Sequence, residues 1–504
     1  MAFAAALTIG LLALAIAPGY AFYFDVTPKA AGLLAGTAGM LILAARRRGS
    51  PDGPRLFAML LLLNAVSLAV STAWSTNRAL SFYGGSWRCF GAPMQCVAML
   101  FAWLVAWQSA GRPERASVVL RGVAISAVLA AAVGVWRPPG TLGDAGQLAI
   151  WLAMSVFLSM ALARMETGRM WRGAARAAAA LSLAGLMLIC ARTPPWAGPH
   201  RQLWRDTLSM AAKRPLAGYG PEVFLAQFPY FESKSLARAH PDTVYESPRN
   251  AFLDTLAAQG IPGLLLWCGL CATGLAAAWK RRDIRLAAAL AAGIVGLQFS
   301  PFTLPTAVLF LATIGLAAGL AEKPGVSRSN PVFAAVAPIL VLALLYFALR
   351  LAMADRELAV TKRLLDARDL AAATAEYEAY WFWRLPGTNA DVWYSRSWMD
   401  VARNAADPDM RTQALDISQQ AAARAIGNAE EPFLAWYNLA QVATLQGNFE
   451  DAERNLRWAI ATHPTWYLPH RLLAQELVRQ SRLEEAQRET ALAVELEGAV
   501  SGPH

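Results

Sequence analysis

The sequence predicts an all-α protein: a polytopic membrane helical bundle of about 11 spans, followed by an α-solenoid. Three observations carry this. The chain of 504 residues is 56% hydrophobic and only 16% charged, whereas a soluble domain carries about 25% charged residues. Its apolar residues fall in runs approaching the ~20 that cross a bilayer core as helix. The character then changes: residues 1–353 hold 30 Lys and Arg against 13 Asp and Glu, and residues 354–504 hold 15 against 22.

The apolar runs lie near 3–22, 29–45, 56–74, 94–110, 117–135, 147–163, 174–191, 260–279, 284–300, 303–321 and 332–352. Pro301 and Pro305 leave 284–321 open to being a single broken hairpin. The loops after the second, fourth, sixth, eighth and tenth runs hold 17 basic residues, as in ARRRGSPDGPR and KRRDIR. The short loops between them hold four: Lys29, Arg78, Arg88 and Arg137. Basic loops stay in the cytoplasm. This expectation puts the N-terminus inside, and the loop 192–259 and everything after residue 353 outside; in a Gram-negative cell that is the periplasmic side of the inner membrane. The net charge of +10 therefore marks topology. It does not mark nucleic-acid binding, since no basic patch is interleaved with stacking aromatics outside the apolar runs.

The expected domains are 1–353, in the membrane, and 354–504. In the second, a period of 34 pairs Trp436 with His470, Leu439 with Leu473, Ala440 with Ala474, Ala452 with Ala486 and Ala459 with Ala493. Large residues on one helix face and alanines where helices approach are what stacked helix pairs need; this is the tetratricopeptide pattern, whose concave face suits a protein partner. His463 and His470 read as packing or surface residues of these repeats.

No cofactor is implied. Five cysteines are too few for a disulfide framework, Cys268-x-x-Cys271 sits inside an apolar run, and the five histidines lack metal-ligand spacing. The loop 192–259 is more informative. It carries Arg192, Arg201, Arg205, Lys213, Arg214, Lys234, Arg238 and Arg249, although exported loops near a membrane tend to avoid bases. With Arg88 and Arg137 on the same side, these cations suit a diphosphate held at the lipid surface; the alternative is solvated or snorkelling arginines. In the stretch SPRNAFLDTLAAQGIPG (247–263), Ser247 and Pro248 are expected to start a short helix. Arg249 and Asn250 would then lie in its anion-favouring first turn. Gly260 ends it, and Pro262 starts the next span.

These segments resemble, in their order, the O-antigen ligase and polymerase family of membrane glycosyltransferases, over about residues 55–300. The family signature is His-Asn, nine residues, then Gly-x-x-Gly; here it is Arg249-Asn250, nine residues, Gly260-Ile-Pro-Gly263. HRQLWRDTLSMAAKRPLAGYG resembles the family's Arg-x-x-x-Trp and Pro-Leu-x-Gly-x-Gly segments through Trp204, Pro215, Leu216, Gly218 and Gly220. ICARTPPWAG and GTLGDAGQLA resemble two others, the first through Arg192. The resemblance implies a GT-C-like architecture and transfer of a glycan from a polyprenyl (undecaprenyl) diphosphate carrier, without metal, to lipid A core, another glycan or a protein. Its site residues would be Arg249, Asn250 and His240 for catalysis, and Arg88, Arg192, Arg201, Arg205 and Tyr219 for substrate. Tyr219, Trp204 and Trp196 would stack on sugars or anchor at the membrane interface.

One departure matters. The family histidine is replaced by Arg249, and a guanidinium cannot serve as a base. Either the base lies elsewhere, with His240, Asp242 and Glu246 the nearest titratable groups, or the diphosphate leaves with little base help, or the chain binds glycan without transferring it. From other classes, a transporter would place ionisable residues within the spans, where this chain has few; a non-catalytic scaffold needs fewer spans.

Overall fold

The computed structural model describes residues 1–46, 53–137, 140–193, 198–323, 331–386, 390–427 and 429–498. Among these the regular structure is helical, with one isolated bridge between Pro18 and Ala21. Helices α1 (Ala2–Leu14), α2 (Thr27–Ala45), α3 (Arg55–Ala73), α4 (Arg78–Tyr83), α5 (Ala92–Ser109), α6 (Pro113–Trp136), α7 (Ala145–Met165) and α8 (Arg169–Arg192) precede the long polar loop. The loop holds α9 (His200–Ala211), α10 (Phe224–Gln227) and α11 (Lys234–Ala239). Helices α12 (Ala251–Lys280), α13 (Ile284–Gly296), α14 (Leu304–Ala321) and α15 (Pro331–Asp366) follow.

Among the described residues, eight helices (α2, α3, α6, α7, α8, α12, α14 and α15) are long and apolar enough to cross a membrane, so the chain is a multi-pass membrane protein. The other three expected spans are helical but fall outside this set. At 13 residues each, α1 and α13 reach only about 20 Å, short of the ~30 Å hydrocarbon core. The first run ends at Leu14, eight residues early, because Pro18 and Gly19 (φ 79°) turn the chain. The stretch 284–321 is two helices, with residues 297–303 unwound between them. The fourth run forms α5, whose apolar sequence is diluted by Gln95 and by the buried Gln108.

The bundle is centred on α14, buried from Leu304 to Leu320. Its Gly315 and Gly319 touch the α5 backbone: a Cβ on either would lie 2.4 and 2.2 Å from the carbonyls of Ala102 and Ala106, the close approach that small residues permit in membrane helices. Around this pair, α2 packs on α15, α7 on α8 and α13, and α12 on α3 and α14.

Helix α15 is 36 residues long and runs unbroken through residue 353. Its far end pairs with α16 (Leu370–Trp383). Then α17 (Asp391–Asn404) with α18 (Pro408–Ala425), α19 (Pro432–Gln446) with α20 (Phe449–Thr462), and α21 (Tyr467–Arg479) with α22 (Leu483–Glu497) stack in order. Ala440, Leu456, Leu473, Leu477 and Ala486, three of them singled out by the period, share one core. His463 and His470 are both buried, on Glu232 (3.0 Å) and Glu489 (2.6 Å).

Candidate active site at the loop end of the bundle

The start of α12 differs from the expectation. Asn250, not Ser247, is the cap: its Oδ1 accepts from the N–H groups of Phe252 (3.0 Å) and Leu253 (3.1 Å), and its Nδ2 donates to Gln298 Oε1 at 2.9 Å. A cap that also grips a second element outcompetes an isolated serine. Ser247 Oγ instead accepts the Arg249 N–H at 3.2 Å, and Arg249 takes φ 49°, in the left-handed region. Arg249 therefore precedes the helix. The donors of residues 252 and 253 are spent on Asn250 and do not await an anion.

The other end of the stretch behaves as expected. Gly260 (φ 70°, ψ −166°) breaks α12 into a short helix and a membrane helix. Its neighbour Ile261 donates to Pro215 O at 2.7 Å, and Tyr219 and Gly220 donate to Ala257 O and Ala258 O, both at 2.9 Å. A Cβ on Gly260 would lie 2.4 Å from Pro215 O, and one on Gly218 2.3 Å from Ala258 O. The two glycine-bearing segments are the two halves of one backbone junction.

At the loop end of the bundle is a cavity of about 350 Å³. Its walls include Asp25 and Lys29 at the start of α2, Trp87 and Arg88, Asp144 and Gln147 at the start of α7, Glu246 and Arg249 before α12, and Thr303 before α14. Local bonds fix these walls. Asp144 caps α7, accepting from Gln147 N–H at 3.3 Å. Gln147 donates to Ser300 Oγ (2.8 Å) and accepts from the Thr303 and Thr306 hydroxyls (both 2.7 Å), tying the GDAGQ segment to the unwound stretch before α14.

The charges differ in freedom. Arg88 is buried and spent on carboxylates: Nε donates to Glu222, and Nη1 donates to Asp254 Oδ2 at 2.6 Å. Lys29 is also buried. Arg249 is exposed to solvent and, among the described residues, enters no ion pair within bonding distance. Glu246 faces the same space. Glu246 is open to solvent, yet desolvation by the surrounding protein pushes its carboxyl above the ordinary range, while Arg88 and Arg249 pull it back.

Of the residues singled out in the sequence, Arg88, Glu246 and Arg249 meet at the cavity, and Asn250 lies beside it as a cap. The others lie elsewhere. Arg192 donates to Val135 O at 3.2 Å from the exposed end of α8; Arg201 and Arg205 are exposed on α9; His240 ends α11. The Tyr219 ring is buried with Leu203, Met210 and Phe224, with Arg214 5.0 Å above it. Trp204 donates to Pro248 O at 3.0 Å and so braces the approach to Arg249. Asp242 accepts from the Tyr467 hydroxyl at 2.9 Å. Trp196 lies outside the described residues. Sequence reasoning missed Asp25, Lys29, Asp144, Glu222 and Asp254; for Asp25, Lys29 and Asp144 the usable signal was a charged residue beside an apolar run.

No curated protein matches the chain. Residues 91–268, which include Asp144, Glu222, Glu246, Arg249 and Asp254, match the family model described as O-antigen ligase, and this part of the chain is similar to that family of membrane glycan-transferring proteins.

Proposed function

We propose that the protein is a membrane glycosyltransferase that moves a glycan from a polyprenyl diphosphate carrier to an acceptor at the outer face of the inner membrane. The observation that carries this reading is that one cavity at the end of an apolar bundle is lined both by Arg249, a cation with no ion pair among the described residues, and by the Glu246 carboxyl. The carrier's prenyl chain would lie along the apolar helices, with its diphosphate at Arg249 and Lys29. Arginine grips such an anion bidentately and stabilises the charge that develops as it leaves.

In the step proposed, the acceptor hydroxyl oxygen forms a bond to the anomeric carbon. The bond from that carbon to the phosphate oxygen breaks, and the diphosphate carrier departs with the electron pair. The acceptor proton passes to Glu246. Of the three titratable groups that sequence reasoning offered for this role, Glu246 alone lines the cavity; a raised carboxyl is a better base near neutral pH than an ordinary one. The acceptor is a lipid A core, a second lipid-linked glycan or a protein, and the C-terminal helix pairs, read as tetratricopeptide repeats, suit contact with a protein or polymer.

A second reading, glycan binding without transfer, rests on Arg249 standing where the family has histidine. Purified protein in lipid bilayers, given a lipid-diphosphate-linked glycan and each acceptor class, separates the two. Transfer by wild type that is lost in both Arg249→Ala and Glu246→Gln supports the transferase; donor binding with no product from any acceptor class refutes it.

A further inference from the structure

The C-terminal helix pairs reach the segment that carries Arg88. The turn between α18 and α19 presents Glu430, whose carboxylate accepts the Ser86 N–H and, at 3.2 Å, the Ser86 hydroxyl. The neighbouring donor, Gly85 N–H, goes to Glu222 Oε2 at 3.0 Å. Two consecutive backbone donors are thus held by carboxylates from different parts of the chain, one of them 344 residues away in sequence. Trp87 and Arg88, which come next, line the cavity. The segment is poorly able to hold this shape alone. Gly84 (φ 89°) and Cys89 (φ 50°) both take left-handed conformations, unfavourable for cysteine. Nor is there slack: a Cβ on Gly85 would lie 3.0 Å from Glu430 Oε2 and 3.3 Å from Glu222 Oε2.

We propose that Glu430 is a positioning residue for the transfer site: it clamps the segment 84–91 so that Trp87 and Arg88 keep their places in the cavity wall. The C-terminal helix pairs are then part of the active-site scaffold. The consequence for transfer rests on the function proposed above; the clamp itself does not. Other contacts seat the helix pairs on the polar loop independently of Glu430. His463 and Thr465 bond Glu232, Tyr467 bonds Asp242, and Lys234 and Arg238 pair with Glu495. A Glu430 variant can therefore release the segment without undocking the domain. Burial pushes the Glu430 carboxyl up to about 8 even against the pull of the Ser86 bonds, so the side chain is held there by its surroundings rather than by solvation.

The test uses Cys89, buried in the clamped segment. Full-length protein in lipid nanodiscs is treated with a maleimide, and modification of each cysteine is followed by mass spectrometry. Losing the carboxyl acceptor of the Ser86 N–H should speed Cys89 labelling about tenfold in Glu430→Ala. Glu430→Gln, whose amide oxygen still accepts from Ser86 N–H, and Glu495→Ala, which breaks a distant contact, should label at the wild-type rate. Buried Cys271 should stay unlabelled throughout, which separates local release from unfolding. In parallel, transfer kcat/KM should fall about tenfold in Glu430→Ala and recover in Glu430→Gln. Wild-type protection of Cys89 in Glu430→Ala overturns the proposal, as does equal release in Glu495→Ala. If Cys89 follows Glu430 while wild type transfers no glycan, the clamp stands and the transferase reading falls.

Discussion

Arg88 Nη1 donates to Asp254 Oδ2 at 2.6 Å, joining the segment before α5 to the first turn of α12, with Glu222 closing the other side of the guanidinium. Removing one partner of a buried pair costs about 3–5 kcal/mol, because a charge stays behind unpaired. Asp254→Ala and Arg88→Ala should each lower the melting temperature in detergent markedly. The double variant should be less destabilised than the two losses added together. Simple additivity would show that the pair is not coupled.

Arg249 should matter to chemistry and not to folding. It is exposed and, among the described residues, enters no ion pair, so Arg249→Ala should leave the melting temperature within about 0.5 kcal/mol equivalent of wild type. Transfer should fall by about 10²–10³, the usual loss of a group that stabilises a leaving anion. Arg249→Gly relieves the positive φ and should lose the same activity. A gain of activity in Arg249→His would instead favour the non-transferring reading of the native chain.

Glu246 acts as a base only when deprotonated. Its carboxyl lies above the ordinary value of 4.5, so kcat/KM should decline as pH falls through a midpoint above that value. Glu246→Gln should lower kcat by about 10²–10⁴ and remove that acidic limb. An unchanged profile in Glu246→Gln would assign the proton to another group.

The glycine junction has no room for a side chain. Gly260→Ala and Gly218→Ala each combine a left-handed backbone with a collision against a carbonyl at 2.4 or 2.3 Å. Strain of this kind costs of order 1–3 kcal/mol before the clash is added. Both variants should be recovered from membranes at reduced level, whereas Gly168→Ala, which meets nothing within 4 Å, should be indistinguishable from wild type.

Stability should depend on pH through the C-terminal contact. Burial holds Glu430 at about 8, and burial together with Glu246 holds Glu431 at about 7, both above the 4.5 of an unfolded chain. The folded state therefore binds these protons more tightly. Its advantage is complete below 4.5 and is lost as pH rises towards 8. The melting temperature should be higher at pH 6 than at pH 9, and Glu430→Gln should flatten that decline; an equal slope in wild type and variant would contradict the assignment.

The helices were legible in the sequence because a bilayer demands long apolar runs and says so in composition. Where runs were interrupted, punctuation decided: Gly260 split α12 as expected, whereas Pro18-Gly19 ended α1 inside a run drawn on to residue 22. Arg249 was found through its spacing to Gly260 and Gly263, and Arg88 through its place beside an apolar run. Asp254, Glu222 and Glu430 were not, because their roles arise from meetings across 134 residues or more that periodicity does not encode. The choice of Asn250 over Ser247 as cap was equally hidden: it depends on Gln298, in the unwound stretch after α13.

The long helix α15 has no glycine or proline between Ile339 and Asp366, and where it leaves the bundle it is pinned to the segment that leads into α2, Asp355 accepting the Tyr23 N–H at 2.9 Å. The C-terminal helix pairs are thus mounted on a shaft and not hung from a tether. Any displacement of these pairs is therefore carried along α15 to its seam with α2, at whose start Asp25 and Lys29 line the cavity.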